Sequence, residues 1–338
     1  MMPQFKVRKR RALTLDEEHL VQKSPIDPEK GLGLLITPAV GGVNLIDWAA
    51  RNIETIEKEL LEYGALLFRR FEPDGTEDFE RFIRTVSGNP MEYVYRSTPR
   101  SRIHGNIYTT TEYPPHETIP MHNENSYQSS WPLKLFLFCA EPPGEGGETP
   151  LSDSRRVYRR IDPEARAEFV RKGVMYVRNY GELLDIPWQT VFQTEDRSEV
   201  EAYCRKAGIC FEWKGEHGLK TRQVRPACTT HPVTGEMLWF NQAHLFHVSS
   251  LRREIRDNLL EAFGEEDLPR NAYYGDGTPI DDGTLEVVRQ AYRKETVKAP
   301  WKLGDVAIVD NMMLAHAREP YRGPRKILIG MTDPYSDD

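Results

Sequence analysis

The sequence predicts a mainly β fold with flanking helices, an α+β arrangement whose core is a double-stranded β-helix, also called a jelly roll. Three short apolar runs, at residues 65–68, 133–140 and 306–309, have the length and composition of buried strands. Strand-like runs gather toward both ends of the chain, and amphipathic helical patterns lie outside them. This distribution is typical of a jelly roll.

The length of 338 residues suits one β-barrel or sandwich domain with insertions. We expect residues 1–35 to form an N-terminal arm and an irregular lead-in, because they are charged and carry several prolines and glycines. Residues 36–338 are expected to form a single jelly-roll domain. A helical or lid-like insertion is predicted at about residues 155–228, where strand-like and helical pieces mix without a repeat.

The composition is that of a globular protein, with 39% hydrophobic and 29% charged residues. A formal net charge of −7 argues against a nucleic-acid partner. No apolar run approaches the ~18 residues that suggest a membrane span. The basic cluster at residues 6–11 is followed by acidic residues instead of an apolar core, which indicates a solvated arm. The four cysteines show no Cys-x-x-Cys spacing, and this favours a reducing cytoplasm.

The first part of the chain predicts scaffold elements. An amphipathic helix is expected across residues 45–63, closed by Gly64, and the strand at 65–68 follows it. Thr76 is the predicted cap of a second helix. Residues 88–120 alternate in places, as at 93–95, and are expected to form strands and loops.

Later elements are predicted around one central strand. The run at residues 133–140 is too apolar for an edge strand, so we expect it in the middle of a sheet. In the insertion, Trp188 and Trp213 are expected to be lid or cleft aromatics. The other predicted elements are a helix at 155–172, amphipathic helices at 250–263 and 284–295, and a loop at 271–277.

A histidine and a carboxylate provide the first chemical signal. His122 and Glu124 are two positions apart, so in an extended strand they project from the same face. Non-haem Fe(II) oxygenases bind iron through two histidines and one carboxylate. The second histidine is predicted to be His316, which follows the run at 306–309 and is expected at a strand end. It lies 192 residues beyond Glu124 (316 − 124), so only folding brings the three side chains together.

Four other histidines are competing candidates for the second histidine ligand. His104 and His116 have no carboxylate two positions away, and we interpret them as exposed loop residues. His244 and His247 are three apart and would suit a metal pair on a helix, but no acid lies nearby on the same face. We interpret them as core or cleft residues.

Several separated stretches together resemble the taurine dioxygenase family of Fe(II)/2-oxoglutarate-dependent oxygenases. They are Met121-His122-Asn123-Glu124, Gly146-Gly147-Glu148-Thr149-Pro150, His231-Pro232-Val233-Thr234-Gly235, Phe240-Asn241, and His316 with Arg325 nine residues later. The resemblance covers most of the chain.

The resemblance implies that His122, Glu124 and His316 bind Fe(II) and that Thr149 and Arg325 hold the cosubstrate 2-oxoglutarate, with O2 as the oxidant. Lys326 stands beside Arg325 and could take its place, because neighbouring strand residues face opposite sides. A pocket for a small-molecule substrate is implied at Thr118, Asn125, Phe240, Asn241 and His244. The resemblance also implies that the segment at residues 231–235 lines this pocket.

Two departures narrow the expected substrate. Where the family commonly has aspartate, the chain has Glu124, which favours the branch of clavaminate synthase-like and syringomycin-pathway aspartyl hydroxylase-like enzymes. Four positions beyond Lys326, where taurine-type enzymes have an arginine for the sulfonate, the chain has Gly330. Taurine is therefore not the expected substrate.

The implied reaction is hydroxylation of an unactivated C–H bond of an amino acid or amino-acid derivative, free or tethered to a peptidyl carrier protein, with release of succinate and CO2. Glu124 argues against a halogenase, which usually lacks this carboxylate. Four alternatives stay open: desaturation, ring closure, a metal hydrolase that would need a general base, and a non-catalytic module that binds a carrier protein. The sequence leaves the exact substrate and the formation of a homo-oligomer open.

Overall fold

The computed structural model describes residues 19–92, 100–181, 186–216 and 218–336. The helices are α1 (Leu45–Arg51), α2 (Ile53–Tyr63), α3 (Gly75–Ser87), α4 (Ser154–Arg160), α5 (Pro163–Lys172), α6 (Trp188–Phe192), α7 (Arg197–Lys206), α8 (Ala243–Phe246), α9 (Arg253–Phe263) and α10 (Asp282–Glu295). Within these ranges, no helix has both the length and the apolar character needed to cross a bilayer.

The strands are β1 (Val21–Asp27), β2 (Leu32–Pro38), β3 (Ala65–Phe68), β4 (Arg102–His104), β5 (Ile107–Thr109), β6 (Ile119–His122), β7 (Ser130–Glu141), β8 (Glu145–Gly146), β9 (Leu151–Asp153), β10 (Val174–Tyr180), β11 (Cys210–Lys214), β12 (Gly218–Arg225), β13 (Cys228–Thr230), β14 (Met237–Trp239), β15 (Arg270–Tyr274), β16 (Thr296–Val297), β17 (Val306–Asp310), β18 (Leu314–Arg318), β19 (Tyr321–Arg322) and β20 (Lys326–Ser336).

A large sheet and a small sheet pack face to face. The large sheet has the strand order β1-β2-β3-β17-β7-β20-β5-β4, and the small one has the order β16-β9-β18-β6. Buried side chains of both sheets, such as Leu137 and Leu314, share one apolar core. Helices α1 to α3 cover the other face of the large sheet through a second core that includes Ile56 and Phe82. The jelly-roll prediction is confirmed, and β7 is central as expected.

The predicted insertion supplies three strands of a third sheet, whose order is β11-β12-β10-β15, and the fourth strand, β15, comes from beyond the predicted boundary. Strand β15 includes most of the residues that we expected to form a loop at 271–277, so that expectation was wrong. Trp188 is only 3% exposed, and its ring centroid lies 5.2 Å from that of Trp213. Trp188 is therefore a core residue of this layer, and the expected lid or cleft role is not observed. Composition alone does not show which aromatic residues a neighbouring strand will cover.

The region expected to be an irregular lead-in is largely a β-hairpin. Strand β1 pairs with β2, and β2 runs parallel to β3, so the expected boundary at residue 35 falls inside a strand of the large sheet. The prolines and glycines were read as breakers, but an edge strand tolerates proline because one side of its backbone faces solvent. Residues 1–18 lie outside the described residues.

Two predicted helices are each divided. The helix expected at 45–63 breaks at Asn52 into α1 and α2, and Gly64 closes α2 with φ 72° as expected. The helix expected at 155–172 divides into α4 and α5, because Asp162 caps a new start and Pro163 has no N–H to continue the first helix. Helix α3 begins after Asp74, so Thr76 is not its cap. The alternating stretch at 93–95 lies outside the described residues.

Candidate metal centre and cavity

Two strands of the small sheet bring the predicted metal ligands together. His122 ends β6 and pairs in register with His316 of β18, with their ring centroids 4.3 Å apart. One ligand atom each from His122, Glu124 and His316 lie within 4.8 Å of one another. No other group of three such side chains that could hold one ion occurs among the described residues.

The backbone around Glu124 and around His316 differs from the predicted one. Strand β6 stops at His122, and Glu124 lies in the following turn, where Asn125 adopts a left-handed φ of 60°. His316 does not end the strand built from residues 306–309. Strand β17 belongs to the large sheet, and the chain turns at residues 311–313 to enter β18 in the small sheet. A local pattern of apolar residues does not reveal this change of sheet.

The two histidines are uncharged at neutral pH, so each can donate a nitrogen lone pair to a metal ion. Burial lowers the pKa of His122, and it lowers the pKa of His316 to about 3. His122 Nδ1 donates to the carbonyl of Pro120 at 2.8 Å, which leaves the lone pair on Nε2. His316 Nε2 lies 3.9 Å from Glu124 Oε2. Both rings can therefore offer a nitrogen to a metal ion.

Glu124 is held as an anion by a buried arginine. Arg100 Nη2 donates to Glu124 Oε2 at 2.7 Å, and the two side chains are only 3% and 4% exposed. Burial alone would raise the pKa of this carboxyl, but the guanidinium of Arg100 and the two imidazoles outweigh it and hold the pKa at about 2. Arg100 carries no recognisable sequence signal, and the sequence analysis missed it.

Side-chain amides join the two halves of the site. Asn311 accepts the Glu124 N–H at 2.7 Å, and it donates to the carbonyls of Glu124 and Pro132 at 2.9 and 2.8 Å. Asn123 in turn donates to the Asn311 carbonyl at 2.7 Å, and Gln242 donates to the Asn123 carbonyl at 2.8 Å. The turn that carries Glu124 is thus fixed to the turn that leads into β18.

The segment at residues 231–235 braces this turn instead of lining the pocket. His231 Nδ1 accepts the N–H groups of Val233 and Thr234, so Nε2 carries the proton and donates to Asp310 Oδ2 at 3.0 Å. Asp310 Oδ1 accepts the N–H groups of the two methionines that precede β18. The role that the resemblance implied for His231 is therefore not observed.

A small compartment of about 40 Å³ lies beside His122 and His316. Arg325 and Thr149 line it, and Arg325 Nε donates to the Gly147 carbonyl at 2.9 Å. Thr149 Oγ1 accepts from Trp301 Nε1 at 3.0 Å and lies 3.5 Å from Arg325 Nη2. Burial lowers the pKa of Arg325 to about 10, so its guanidinium stays charged. Lys326 is exposed and is not among the residues that line the compartment.

A larger cavity of about 420 Å³ opens onto His122 and Glu124. Its described lining combines aromatic, aliphatic and charged side chains, including Arg100, Glu117, Thr118, Tyr127, Gln242, Leu245, Phe246, Arg252 and Arg270. It shares four residues with the small compartment: Arg100, Thr111, Ile119 and His122. The two spaces therefore meet at His122, one of the predicted metal ligands.

Of the five predicted pocket residues, Thr118 lines this cavity and four do not. Phe240 packs in the core with its ring 4.9 Å from Trp131. Asn241 donates to the Ala227 carbonyl and accepts the Ala243 N–H. Asn125 is buried in its turn. The residues that do line the wall follow Asn241 directly, because the backbone turns into α8 there.

The competing histidines do not form a second metal site. His244 donates from Nε2 to the Met121 carbonyl at 2.8 Å and lines an adjoining cavity of about 380 Å³. His247 accepts the Ser249 N–H at Nδ1 as the cap of a short helical turn. His104 and His116 are exposed, as expected, although His104 ends strand β4 and does not lie in a loop.

Comparison with known proteins shows the family of this chain. The family described as "Taurine catabolism dioxygenase TauD, TfdA family" matches residues 29–332. The chain belongs to the TauD/TfdA family. It is an Fe(II)- and 2-oxoglutarate-dependent dioxygenase that uses O2. The buried set of two neutral imidazoles and one ionised carboxylate fits Fe(II) by ligand type.

Two curated relatives support the TauD/TfdA assignment. The dapdiamide synthesis protein DdaC of Enterobacter agglomerans is 40% identical over 300 residues, covering 89% of this chain and 91% of the relative. A clavaminate synthase-like protein of Arabidopsis thaliana is 31% identical over 292 residues, covering 82% and 83%.

Solved structures support the fold. PvcB from Pseudomonas aeruginosa has a TM-score of 0.57 at 16% identity, with 96% of this chain and 95% of that chain covered. AAD-2 in complex with Mn(II) and N-oxalylglycine has a TM-score of 0.54 at 14% identity, with 92% and 96% covered. At these identities the likeness is one of fold.

Proposed function

We propose that this dioxygenase hydroxylates an unactivated C–H bond of an amino acid or amino-acid derivative, with release of succinate and CO2. The observation that carries the proposal is one arrangement of side chains. His122, Glu124 and His316 lie where a compartment containing Arg325 meets a cavity of about 420 Å³, large enough for a small molecule.

In this proposal, His122, Glu124 and His316 hold Fe(II), and Arg325 and Thr149 hold the distal carboxylate of 2-oxoglutarate. A planar guanidinium matches a carboxylate, and the Thr149 oxygen already accepts from Trp301, so its hydroxyl hydrogen is directed to another acceptor. Lys326 is assigned no part, because its side chain is exposed and does not line the compartment.

When bound, Fe(II) and 2-oxoglutarate would supply the oxidising chemistry by which O2 attacks a C–H bond. The protein chain contributes by holding the proposed metal ligands in position and by lining the cavity. Arg100 keeps Glu124 ionised and in place, and the Asn311 amide fixes the Glu124 backbone. Tyr127 and Phe246 are almost fully buried, with ring centroids 5.2 Å apart, and form an apolar part of the cavity wall.

Two observations favour an amino-acid-derived substrate over a sulfonate. The 40% identity to a dapdiamide synthesis protein supports a biosynthetic role in secondary metabolism. In taurine-type enzymes the sulfonate-binding arginine lies four positions after the 2-oxoglutarate anchor. Counted from Arg325, which lines the compartment, that position is Ile329, which also lines it. Counted from Lys326, it is Gly330, which lies against Ile83 on the opposite face. Neither position offers a cation. The experiment below decides whether the substrate is free or tethered to a carrier. It also decides whether the reaction is hydroxylation or another oxidation.

The test measures succinate from 2-oxoglutarate in the presence of Fe(II) and ascorbate, with amino acids added free or loaded on a peptidyl carrier protein. We expect succinate in step with a product that gains one oxygen atom. A product with two fewer hydrogens would replace hydroxylation by desaturation or ring closure. Substrate turnover that needs the metal but not 2-oxoglutarate would indicate a hydrolase, and carrier binding without succinate would indicate a binding module.

A reducing, cytoplasmic location is part of the same proposal. All four cysteines are free thiols, and burial raises the pKa of three of them, Cys139, Cys204 and Cys228, to about 12. Thiols of this kind stay protonated and unreactive.

A further inference from the structure

The stretch between β5 and β6, residues 110–118, forms part of the wall of the large cavity, and we call it the wall segment. It contains no helix or strand, and Thr111, Tyr113, Glu117 and Thr118 line the cavity of about 420 Å³. A substrate in this cavity lies against these side chains. The position of the wall segment therefore affects how tightly a substrate binds.

Arg318 holds the wall segment from the small sheet. Its guanidinium donates to the carbonyls of Tyr113, Pro114 and Glu117 at 2.8, 2.6 and 2.8 Å. Arg318 lies on β18, the strand that carries His316, and is only 5% exposed. A hydrogen bond from a charged donor is stronger than one between neutral groups. One buried side chain thus provides three strong tethers to a stretch that has no secondary structure of its own.

Two further tethers come from the residues that follow β18. The Tyr321 N–H donates to the Pro115 carbonyl at 2.9 Å, and Arg325 Nη1 lies 3.4 Å from Thr110 Oγ1. The ring centroid of Tyr321 lies 5.3 Å from the guanidinium carbon of Arg318 and 5.6 Å from that of Arg325. The same two arginines therefore contact the wall segment and share one aromatic neighbour.

Arg318 and Arg325 also line the small compartment that we assign to 2-oxoglutarate. Within the described ranges, neither of them forms an ion pair with a carboxylate. Arg318 Nε is buried and has no hydrogen-bond acceptor in the same ranges. The pKa of Arg325 is lowered first by burial and also by the positive charge of Arg318. The two guanidiniums therefore repel each other, and an anion in the compartment relieves this repulsion.

A dianionic cosubstrate in the compartment attracts Arg318 as well as Arg325. Coulomb attraction in a partly buried space is several times stronger than in bulk water, so it favours the conformer in which Arg318 lies beside the compartment. In that conformer Arg318 also holds three carbonyls of the wall segment. A ligand that binds one conformer more tightly raises the population of that conformer. Cosubstrate binding should therefore order the wall of the neighbouring cavity.

We propose that Arg318 is a positioning residue that couples the two spaces: 2-oxoglutarate in the small compartment fixes Arg318, and Arg318 fixes the wall segment against which the substrate binds. This inference rests on the proposed function, since it takes the small compartment as the cosubstrate site. It makes the affinity for substrate depend on bound cosubstrate through one named side chain. By linkage, bound substrate strengthens cosubstrate binding by the same factor.

The experiment measures hydrogen–deuterium exchange of the wall segment by mass spectrometry in the full chain. The protein is loaded with Co(II) and compared with and without N-oxalylglycine, a non-reacting analogue of 2-oxoglutarate. We expect N-oxalylglycine to slow exchange at the amides of residues 110–118 about fivefold or more, the lower end of usual coupling factors between two sites. Equal exchange with and without the bound analogue overturns the proposal.

Two substitutions at Arg318 and one control test the assignment. In Arg318→Met, exchange in the wall segment should be about tenfold faster without the analogue, and N-oxalylglycine should slow it less than about twofold. Arg318→Lys keeps the charge but not the planar fork of donors, so its response should be intermediate. Arg322→Met removes a guanidinium whose side chain is 86% exposed and should leave the response unchanged.

The response to N-oxalylglycine separates coupling from a purely structural role. An arginine that only braces the wall segment would change exchange in the ligand-free protein and leave the response to the analogue intact. A full response in Arg318→Met therefore rejects the coupling, and exchange equal to the wild type in the ligand-free variant rejects the tethers. If Arg318→Met does not fold, a wild-type response in Arg318→Lys rejects the coupling.

A binding measurement distinguishes failure of this inference from failure of the proposed function. Calorimetry determines whether N-oxalylglycine binds to the chain loaded with Co(II). Binding without slower exchange in the wall segment rejects only the coupling through Arg318. No binding rejects the assignment of the small compartment to the cosubstrate, on which both proposals rest.

Discussion

The side chain of Asn311 makes hydrogen bonds to both the N–H and the carbonyl of Glu124, at 2.7 and 2.9 Å, although the two residues are 187 positions apart in the chain. Asn311 lies in the turn between β17 and β18, which delivers His316. One buried amide therefore links the carboxylate half of the proposed metal site to the histidine half.

This link predicts a loss of metal affinity in Asn311→Asp. The change replaces a donor by an acceptor that faces the carbonyls of Glu124 and Pro132, and a buried polar group without its partner costs roughly 1–3 kcal/mol. We expect Co(II) affinity to fall about tenfold or more, with an altered Co(II) absorption spectrum. Asn258→Asp, at an exposed position of α9, is the matched control. An unchanged spectrum and affinity in Asn311→Asp would show that the link does not position the ligands.

Removal of one histidine ligand should abolish turnover. His122→Ala and His316→Ala each leave two of three ligands, and metal affinity should fall severely while the fold persists. Metal content after dialysis and succinate formation are the measurements. His104→Ala and His247→Ala serve as controls, and iron loss in His247→Ala would revive the competing pair. Wild-type succinate rates in iron-replete His122→Ala or His316→Ala would remove them from the metal site.

The carboxylate ligand should be sensitive to length. Glu124→Asp keeps the charge but withdraws the oxygen by about one C–C bond, ~1.5 Å, several times the ~0.5 Å tolerance of a preorganised site. We expect Glu124→Asp to keep some iron but lose most coupled hydroxylation, and Glu124→Ala to lose nearly all of it. Product formed per succinate released is the measurement. Full coupling in Glu124→Ala would exclude this carboxylate as a ligand.

The ion pair between Arg100 and Glu124 predicts that the free energy of unfolding of the metal-free protein falls at acid pH. The pKa of Glu124 falls from its ordinary value of 4.5 to about 2, so the ionised pair contributes stability that is full above pH ~4.5 and is lost as pH falls toward 2. In Arg100→Leu, burial is no longer opposed by the guanidinium, and the pKa of Glu124 should rise. Urea unfolding between pH 3 and 8 should then show a smaller loss of stability on acidification than in the wild type, because the pKa of Glu124 no longer lies far below its value in the unfolded chain. Superimposable pH profiles would contradict the proposed pairing.

The cosubstrate anchor predicts an order among three variants. Arg325→Ala should raise the KM for 2-oxoglutarate about ten- to a hundredfold, because a hydrogen bond to a charged group is worth roughly 1.5–3 kcal/mol. Thr149→Ala should raise it about fivefold, as expected for ~1 kcal/mol. Lys326→Ala, whose side chain is exposed, should leave it unchanged. A large effect of Lys326→Ala would reverse the assignment.

The brace at His231 predicts a change in stability. His231→Ala removes a buried partner of Asp310 and the acceptor of two N–H groups, so the free energy of unfolding should fall by about 1–3 kcal/mol in urea. His116→Ala, at an exposed loop position, should change it by less than about 0.5 kcal/mol. Equal effects of the two variants would mean that the brace contributes nothing.

The sequence by itself determined the jelly-roll class, the central position of β7 and the three side chains that meet at the proposed metal site. These follow from local regularities: apolar runs of strand length, and a spacing of residue types whose chemistry is known. The same regularities left Arg325 and Lys326 equivalent, because alternation shows that neighbours face opposite sides but not which side faces the cavity.

Tertiary structure alone decided the remaining features of the site. Arg100 reaches Glu124, Asn311 ties Glu124 to the β17–β18 turn, and Gln242 and Phe246 line the cavity where Phe240 and Asn241 were expected. β15 and β2 likewise form strands by pairing with β10 and β3, which lie far from them in the chain. The physical reason is the same in each case. A hydrogen bond or a buried contact between residues far apart in the chain depends on which surfaces folding covers, and a local pattern contains no information about the partner.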